Sequence, residues 1–326
     1  MLELPPFIAP FHVPDAYRVL PDMARLEGKH FQFDAQFYAY LERKLELLNM
    51  QPPGGWRSST DKVGLERALW TVLEKVGLEW PQYVQTDAEG VTHQLLGLRL
   101  TRAGTLEHAD SSAVSERILE MLEHRTLLEK VADFLGLSVQ EDLVLLHGDK
   151  SEWLHVLFPS SWRPANKVGL SFAEIHRPVV HSEKLLKAAP NVVKAMHGRG
   201  PFERHVWLMA VGADQSQHPD LEKPNLEKPD LEPLIHNTFL RFERQTTLGL
   251  PASWAERHLS GLPALERSLF TIRVTMQPLT DLENDSDKRQ KLARVLRSMD
   301  STALEYRGYT NYREAWLEWL EKGVSV

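Results

Sequence analysis

The sequence has 326 residues and a formal net charge of -7, with 42% hydrophobic and 25% charged residues, the balance of an ordinary globular protein. It contains no cysteine, which excludes disulfides, iron–sulfur clusters, thiolate zinc sites, a cysteine nucleophile and a thiolate-ligated haem. The negative charge argues against a broad nucleic-acid surface, which needs positive charge to displace counterions. No apolar run reaches the roughly 20 residues that span a bilayer, and the N-terminus lacks the features of a signal peptide. We therefore expect a cytoplasmic protein that binds neither membranes nor nucleic acid.

The first third of the chain, about residues 1–138, is predicted to be mainly helical. Apolar residues recur at helical spacing in Asp34–Leu48, Asp61–Val76 and Ser112–Leu135. Gly77 and Gly136 follow the second and third segments and are expected to end those helices. A hairpin is predicted from two strand-like runs and the turn between them: Trp80–Gln85, Thr92–Thr101 and Asp87–Gly90.

Residues 139–280 are predicted to form a sheet-rich core, with C-terminal helices at about 286–323. A turn at His147–Lys150 separates the first two strands and predicts a hairpin. Strands in hairpins, with helices gathered at the chain ends, favour a single α+β domain with an antiparallel sheet. The predicted strands are Glu141–Leu146, Trp153–Phe158, Arg204–Val211, Phe239–Thr246 and Ser268–Met276, and the predicted helices are Asp287–Met299 and Asn311–Lys322.

Pro219–Pro233 repeats a five-residue unit with proline at every fifth position and alternating charges. Proline at this spacing forbids a continuous helix, and the charges favour solvent. We therefore predict a disordered-looking insertion over about residues 215–233. It is either a docking segment for a partner or a surface insertion without a function, which a loop accepts at little entropic cost.

Several motifs that mark common enzyme sites are absent from the sequence. No G-x-G-x-x-G follows a predicted strand, and no phosphate-binding G-x-x-x-x-G-K-[ST] occurs. H-E-x-x-H and G-x-S-x-G are also missing. The sequence therefore contains no recognisable site for a nicotinamide, a nucleoside triphosphate or a catalytic zinc. If the protein performs redox chemistry, its electrons must come from another protein.

Four segments follow one another in an order and spacing that resemble the α subunit of haem-dependent oxidative N-demethylases. A weaker similarity lies in Tyr306-Arg-Gly-Tyr near the C-terminus. The matching segments are Val139–Leu146, Phe158–Leu170 running into Ala173–Val179, Arg241–Thr246, and Leu269–Val274.

The resemblance implies a PAS-like antiparallel sheet with helices, a b-type haem, and oxygen-dependent removal of a methyl group from a small secondary amine such as dimethylamine. Electrons would come from separate flavin and iron–sulfur reductase subunits. The sequence departs from the family pattern at two places. Val180 stands where a second proline is frequent, and Arg204-His-Val-Trp207 replaces Arg-x-Asn-Trp, which would alter a hydrogen bond near the pocket.

His176 is the candidate axial ligand of the haem iron, because it lies in the matched segment and Pro178 restricts the backbone just after it. A neutral imidazole is the usual proximal ligand of oxygen-handling haems. The alternative is a structural or surface histidine, since the chain has 14 of them. His181, His155 and His147 are the reserve candidates.

Polar side chains alternate along two of the predicted strands. Arg241, Glu243 and Gln245 share one strand face, which faces either solvent or a polar pocket. The neighbouring strand places Arg273 on its polar face and Phe270, Ile272, Val274 and Met276 on its apolar face. Two polar faces that each carry an arginine indicate a pocket for haem carboxylates or oxygen.

Glu243, with Arg241, is the catalytic candidate, as a base or as an anchor for a cationic amine. The candidate partners of the haem propionates are Arg163, Lys167, Arg204, Arg244 and Arg273. Ordinary surface salt bridges are the alternative for each of these cations.

Three functions agree with these patterns. The first is a haem-dependent oxygenase that demethylates a small amine. The second is a haem- or ligand-binding PAS-like sensor without catalysis, because a fold does not decide between the two uses. The third is an interaction protein that has lost its haem. Glu243 among arginines favours the enzyme, and a sensor would need an output domain that the sequence does not reveal.

Overall fold

The computed structural model describes residues 2–198, 200–222, 230–251 and 267–322. Within them, the first third contains four helices and a small sheet. The predicted hairpin is part of that four-stranded sheet, in which the predicted strand Thr92–Thr101 is divided between Gly90–His93 and Leu98–Thr101. Asp61 caps the second helix by accepting a hydrogen bond from the backbone N–H of Gly64. The elements of this part are β1 (Ala24–Arg25), α1 (Phe37–Leu47), β2 (Trp56–Arg57), α2 (Lys62–Glu79), β3 (Val84–Thr86), β4 (Gly90–His93), β5 (Leu98–Thr101), β6 (Leu106–His108), α3 (Ala113–Leu122) and α4 (Leu127–Ser138).

The rest of the chain forms the long strands and the remaining helices. Their bounds are β7 (Asp142–His147), β8 (Lys150–His155), α5 (Phe172–His176), α6 (Glu183–Gly198), β9 (Phe202–Val211), α7 (Leu231–His236), β10 (Thr238–Gly249), β11 (Arg267–Pro278), α8 (Ser286–Arg297), α9 (Ser301–Arg307) and α10 (Arg313–Lys322). Three 3₁₀ turns lie at Leu48–Met50, Pro164–Asn166 and Leu279–Leu282.

The large sheet has the strand order β1-β9-β10-β11-β7-β8-β2, and every neighbouring pair in it is antiparallel. The small strands β3 to β6 form a separate meander. The predicted α+β class with a large antiparallel sheet and helices is therefore confirmed.

The large sheet is covered on both faces. Leu143, Leu145 and Leu269 point into a core shared with α1, α2 and α4. The alternate residues Val144 and Leu146 point the other way, into a core shared with α5 and α6. The C-terminal helices pack at the far end of β9 and β10. Side chains alternate along a strand. Helices α5 and α6 therefore lie on one face of the large sheet, and α1, α2 and α4 lie on the other.

Two predicted helix ends were wrong. Ser112–Leu135 is two helices, because Thr126 and Glu129 form a capping box that starts α4. Gly77 and Gly136 do not end helices; both lie inside, in α2 and α4. Helix α9 lies between the two predicted C-terminal helices and was not anticipated.

Gly136 has a packing role, because the imidazole of His155 packs directly against α4 at this residue. A Cβ atom at Gly136 would lie 2.1 Å from Cε1 of His155. Gly136→Ala should therefore lower the free energy of unfolding by about 1–3 kcal/mol, the usual range for overpacking a core. Urea unfolding measures it. Gly198→Ala is the control, since no atom lies within 4 Å of its added Cβ. Equal stability of the two variants would contradict this packing role.

The predicted insertion has packed flanks. Ser216 and His218 are buried, and the backbone N–H of Ser161 donates to the carbonyl of Gln217. The last repeat unit continues into α7, whose Leu234 and Ile235 are buried. Residues 223–229 lie outside the described part, so the prediction for the middle of the repeat stays a prediction.

None of the helices in the described ranges has the length and apolarity to cross a membrane.

Candidate functional site

A cavity of about 1030 Å³ lies between α5–α6 and the face of the large sheet formed by β9, β10 and β11. Its volume is at the upper end of small-molecule sites, which span roughly 300–1,000 Å³. The cavity continues past the outer edge of β9, where β1 pairs only with the first residues of that strand. Its walls near the sheet are lined by Ile175, His176, Leu185, Met196, Arg204, Val206, Leu208, Glu243, Gln245, Phe270 and Ile272.

His176 is the histidine that the helices present to this cavity. A capping box of Ser171 and Glu174 starts α5, and His176 is the last residue of that helix. Its Nδ1 lies 2.7 Å from the carbonyl oxygen of Phe172. Since a carbonyl only accepts, Nδ1 carries the hydrogen and Nε2 keeps its lone pair. Among the residues with described positions, none donates a hydrogen bond to that Nε2.

The electrostatic surroundings keep this imidazole neutral. Burial lowers the pKa of His176 to about 4, the hydrogen bond to Phe172 opposes the shift, and the charges of Arg204 and Lys167 lower the pKa further. A neutral imidazole is the form that binds a metal.

Arg204 and Lys167 both line the cavity. The Nε of Arg204 is buried and has no hydrogen-bond partner among the described residues. Burial lowers the pKa of Arg204, while Glu243 and Asp22 raise it. Lys167 donates to the carbonyl of Ile175 at 3.2 Å, and burial lowers its pKa. Arg204 and Lys167, both predicted to bind the cofactor, therefore line the same cavity as His176. The Nε of Arg204 is an unused hydrogen-bond donor.

Glu243 forms the acidic point of the cavity on the sheet face. Its Oε1 is 3.2 Å from Nη2 of Arg241, and its Oε2 accepts a hydrogen bond of 2.8 Å from Nε2 of Gln245. The carboxylate is 8% exposed and keeps lone pairs that neither neighbour uses. Because two neighbours hold it, Glu243 is a positioned anion next to an apolar space.

Arg241 lies behind Glu243 and does not line the cavity. It is fully buried, and its Nη2 donates to the carbonyl of Phe158 at 2.7 Å. Burial lowers its pKa, and Glu243 is the first of the anions that raise it again. The predicted catalytic pair is therefore adjacent, with Glu243 at the cavity and Arg241 supporting it.

The prediction that the arginine-bearing faces of the two strands lie side by side was wrong. β10 pairs with β11 so that Glu243 is opposite Val274 and Arg244 is opposite Arg273. Directly paired residues of antiparallel strands point to the same side. Arg244 and Arg273 therefore lie on the sheet face away from Glu243.

Those two arginines hold the N-terminal segment against the sheet. Arg273 donates to Asp34 at 2.6 Å and to the carbonyl of Gln32 at 3.0 Å. Arg244 donates to the carbonyl of His30 at 2.8 Å and to Glu203 at 3.2 Å. Arg163 is also outside the cavity and forms an exposed ion pair with Asp220.

The three reserve histidines do not line the cavity. His155 is fully buried, with Nε2 3.2 Å from Asp133. His181 has a positive φ of 60° and lies 3.0 Å from Asp300. His147 is half exposed near Glu152.

One departure from the family pattern lies at the site. Val206, where the resemblance leads us to expect asparagine, is opposite Glu243 in the register of β9 and β10 and lines the cavity. Its side chain offers Glu243 no hydrogen bond.

One wall of the cavity was not predicted from the sequence. An irregular segment, residues 12–23, precedes β1 at the outer edge of β9 and supplies Tyr17 to the lining. The ring of His12 stacks on that of His205, with 3.7 Å between their centroids. Nothing in the sequence periodicity marks this segment. The C-terminal residues Tyr306, Arg307 and Tyr309 also line this end, and only the weak Tyr306–Tyr309 similarity signalled them.

One family model matches residues 26–317, and its description is "Haem-dependent oxidative N-demethylase, alpha subunit-like". The match covers nearly the whole chain, including His176, Glu243 and every strand of the large sheet except β1.

Proposed function

Because this chain belongs to the haem-dependent oxidative N-demethylase, alpha subunit-like family, we propose that its cavity binds haem b and that the holoprotein removes a methyl group from a small secondary amine. The balanced reaction takes the amine, O₂, two electrons and two protons to the demethylated amine, formaldehyde and water. The observation that carries the proposal is His176, which lines the cavity with Nδ1 bound to a carbonyl and Nε2 left for iron.

The residues around the cavity fit a haem. Metal-binding histidines usually donate their second ring N–H to a carbonyl or carboxylate, as His176 does to Phe172. No cluster of three or more acidic or histidine side chains suited to a bare metal ion occurs in the described ranges, whereas a haem needs only axial ligation from the protein. The unused Nε of Arg204 and the ammonium of Lys167 suit propionates. Phe270 and Ile272 supply apolar surface for a macrocycle.

Glu243 is proposed to bind the ammonium form of the substrate and to accept its proton. Burial strengthens the attraction between a carboxylate and a cation, and Arg241 with Gln245 fixes the orientation of this carboxylate. When bound, the haem supplies the activation of O₂ for oxidation of the methyl group. The apolar neighbours Val206 and Ile272 exclude water from this part of the cavity. Of the five propionate candidates predicted alongside His176, we retain only Arg204 and Lys167.

A PAS-like scaffold is part of the proposal. The five long strands adjoin in the order β9-β10-β11-β7-β8. Along the chain, α5 and α6 lie between β8 and β9. A single antiparallel sheet with helices enclosing a ligand cavity on one face supports this assignment. It also accommodates the sensor function, so Glu243 is the feature that favours catalysis.

We propose that the electrons come from separate flavin and iron–sulfur reductase subunits, as the "alpha subunit" in the family description suggests. The isolated, haem-loaded chain should therefore not oxidise NADPH above the background rate. Amine-dependent formaldehyde release should begin only when a reductase or dithionite is added. NADPH consumption by the flavin-free chain alone would contradict the need for a partner.

Haem titration of the purified protein tests the central claim. A Soret band should grow to saturation at one haem per chain. Formaldehyde release from dimethylamine then separates the enzyme from the sensor, which would bind haem without turnover. Failure to take up any haem would overturn both functions.

A further inference from the structure

The outer end of the cavity contains donors that the proposed reaction does not use. Three residues define this outer subsite: Tyr17 from the N-terminal wall, and Arg307 and Tyr309 from the end of α9. Arg307 belongs to the segment Tyr306–Tyr309, which shows a weaker similarity to the family.

Arg307 has no ion pair or hydrogen bond within the described ranges, although it is only partly exposed. The other cations of the lining are accounted for differently. Arg18 forms an ion pair with Asp22 at 3.1 Å, and Lys167 and Arg204 lie near His176. Arg307 is therefore a cation at this end of the cavity without a described counter-charge.

The two tyrosine hydroxyls have unused hydrogen-bonding capacity. The hydroxyl of Tyr17 is buried and has no partner among the described residues. The hydroxyl of Tyr309 accepts a hydrogen bond of 2.6 Å from the backbone N–H of Met209, which leaves its own hydrogen to donate. Burial raises the pKa of Tyr309, while the charge of Arg307 and the hydrogen bond from Met209 lower it. Tyr17 also acts on the same hydroxyl.

A guanidinium and two phenolic donors around one space are the groups that bind a carboxylate, because charge-assisted hydrogen bonds to an anion are roughly twice as strong as neutral ones. A buried hydroxyl without a partner is unfavourable, and an incoming carboxylate would accept its hydrogen bond. No acidic residue at this end of the lining competes for Arg307 within the described ranges, since Asp22 is paired with Arg18.

We propose that Arg307, Tyr17 and Tyr309 form a carboxylate-binding subsite of the cavity. The carboxylate has two possible sources, a haem propionate or the substrate itself, and in either case the inference rests on the proposed function. A substrate carrying it would be a methylamino acid, with its amine at Glu243 and its carboxylate at Arg307.

The strand geometry sets the length of such a substrate. Val206 is opposite Glu243 in the register, and Met209, which holds Tyr309, lies three residues further along β9. Three strand residues span about 10 Å. Val206 and Met209 also point to opposite faces of the sheet, so the two ends lie around the edge of β9 from one another. We therefore expect 6-(methylamino)hexanoate to fit better than N-methylglycine.

Two binding measurements on the haem-loaded protein distinguish the sources. The first is the rate of haem transfer to excess apomyoglobin, and the second is calorimetric titration with 6-(methylamino)hexanoate and with dimethylamine. Arg307→Gln and Tyr17→Phe should each change one of the two readouts about tenfold or more. Faster haem loss identifies a propionate, and weaker hexanoate binding with unchanged dimethylamine binding identifies a substrate carboxylate.

Arg297→Gln is the matched control, because Arg297 pairs with Glu321 on the surface of α8 and should change neither readout. If Arg307→Gln and Tyr17→Phe leave both readouts within twofold of wild type, the carboxylate subsite is overturned. If the wild-type chain takes up no haem, the proposed function fails, but the titrations with apoprotein still test the subsite. Hexanoate without the amine binding as tightly as 6-(methylamino)hexanoate would overturn the two-ended substrate.

Discussion

His176→Ala should produce a folded protein that binds haem weakly or with a shifted Soret band. The side chain lies at the end of α5 and touches mainly Phe172, whose ring centroid is 4.2 Å away, so its loss removes little core packing. The iron would lose its proximal bond. Loss of a residue that only hydrogen-bonds to a metal ligand costs roughly 10–100-fold in metal affinity. Loss of the ligand itself should cost at least that much. Haem titration followed at the Soret band, with circular dichroism for folding, measures both effects.

Added imidazole should partly restore the spectrum of His176→Ala by occupying the vacated position. His181→Ala is the control, since His181 lies outside the cavity and should retain wild-type haem binding. A wild-type spectrum and affinity in His176→Ala, with loss in His181→Ala, would assign the ligand to His181 instead.

The pH dependence of haem binding should follow the lowered pKa of His176. An unperturbed histidine has a pKa of 6.5, and burial lowers that of His176 to about 4. The neutral, metal-binding form therefore prevails above about pH 4, and its fraction falls as the pH drops through that value. Haem occupancy should remain constant as the pH falls through 6.5 and should decline only near 4. A decline centred at 6.5 would contradict this environment for the ligand.

The prediction of the fold succeeded where the pattern is local. Strand alternation and turn residues identified β7 to β11, because each strand buries one or both faces and the hairpin at His147–Lys150 has only a short turn. Helix ends were less predictable. Gly136 was predicted to end a helix, but it lies inside α4. A residue without a Cβ is needed there because the imidazole of His155, from β8, occupies the space.

Prediction of the site failed where it depended on contacts between strands. The alternation along β10 correctly grouped Arg241, Glu243 and Gln245. It could not reveal which face of β11 is beside them, because a register is set by the pairing of two strands and reverses with a shift of one residue. Arg273 was therefore assigned to the wrong side. Tyr17 was unpredictable for a related reason, since the irregular segment that carries it has no periodicity.

Glu243→Gln should lower amine turnover by roughly 10²–10⁴-fold, the contribution of a positioned acid–base group, if Glu243 binds and deprotonates the ammonium. The structure adds a second consequence. Arg241 is fully buried and Glu243 is its ion-pair partner, so removing the negative charge leaves a buried cation without its ion pair. Breaking a buried pair in this way destabilises a protein by about 3–5 kcal/mol.

A second variant separates chemistry from stability. Glu243→Gln combined with Arg241→Met removes both charges and keeps the volumes similar, so it should recover much of the lost melting temperature, while turnover of dimethylamine should stay low because the anion is still absent. Haem content, measured at the Soret band, should remain near wild type in both variants, since neither residue contacts His176. Recovery of turnover together with stability would show that Glu243 only neutralises Arg241. Turnover within threefold of wild type in the single variant would exclude a role for this carboxylate in proton transfer.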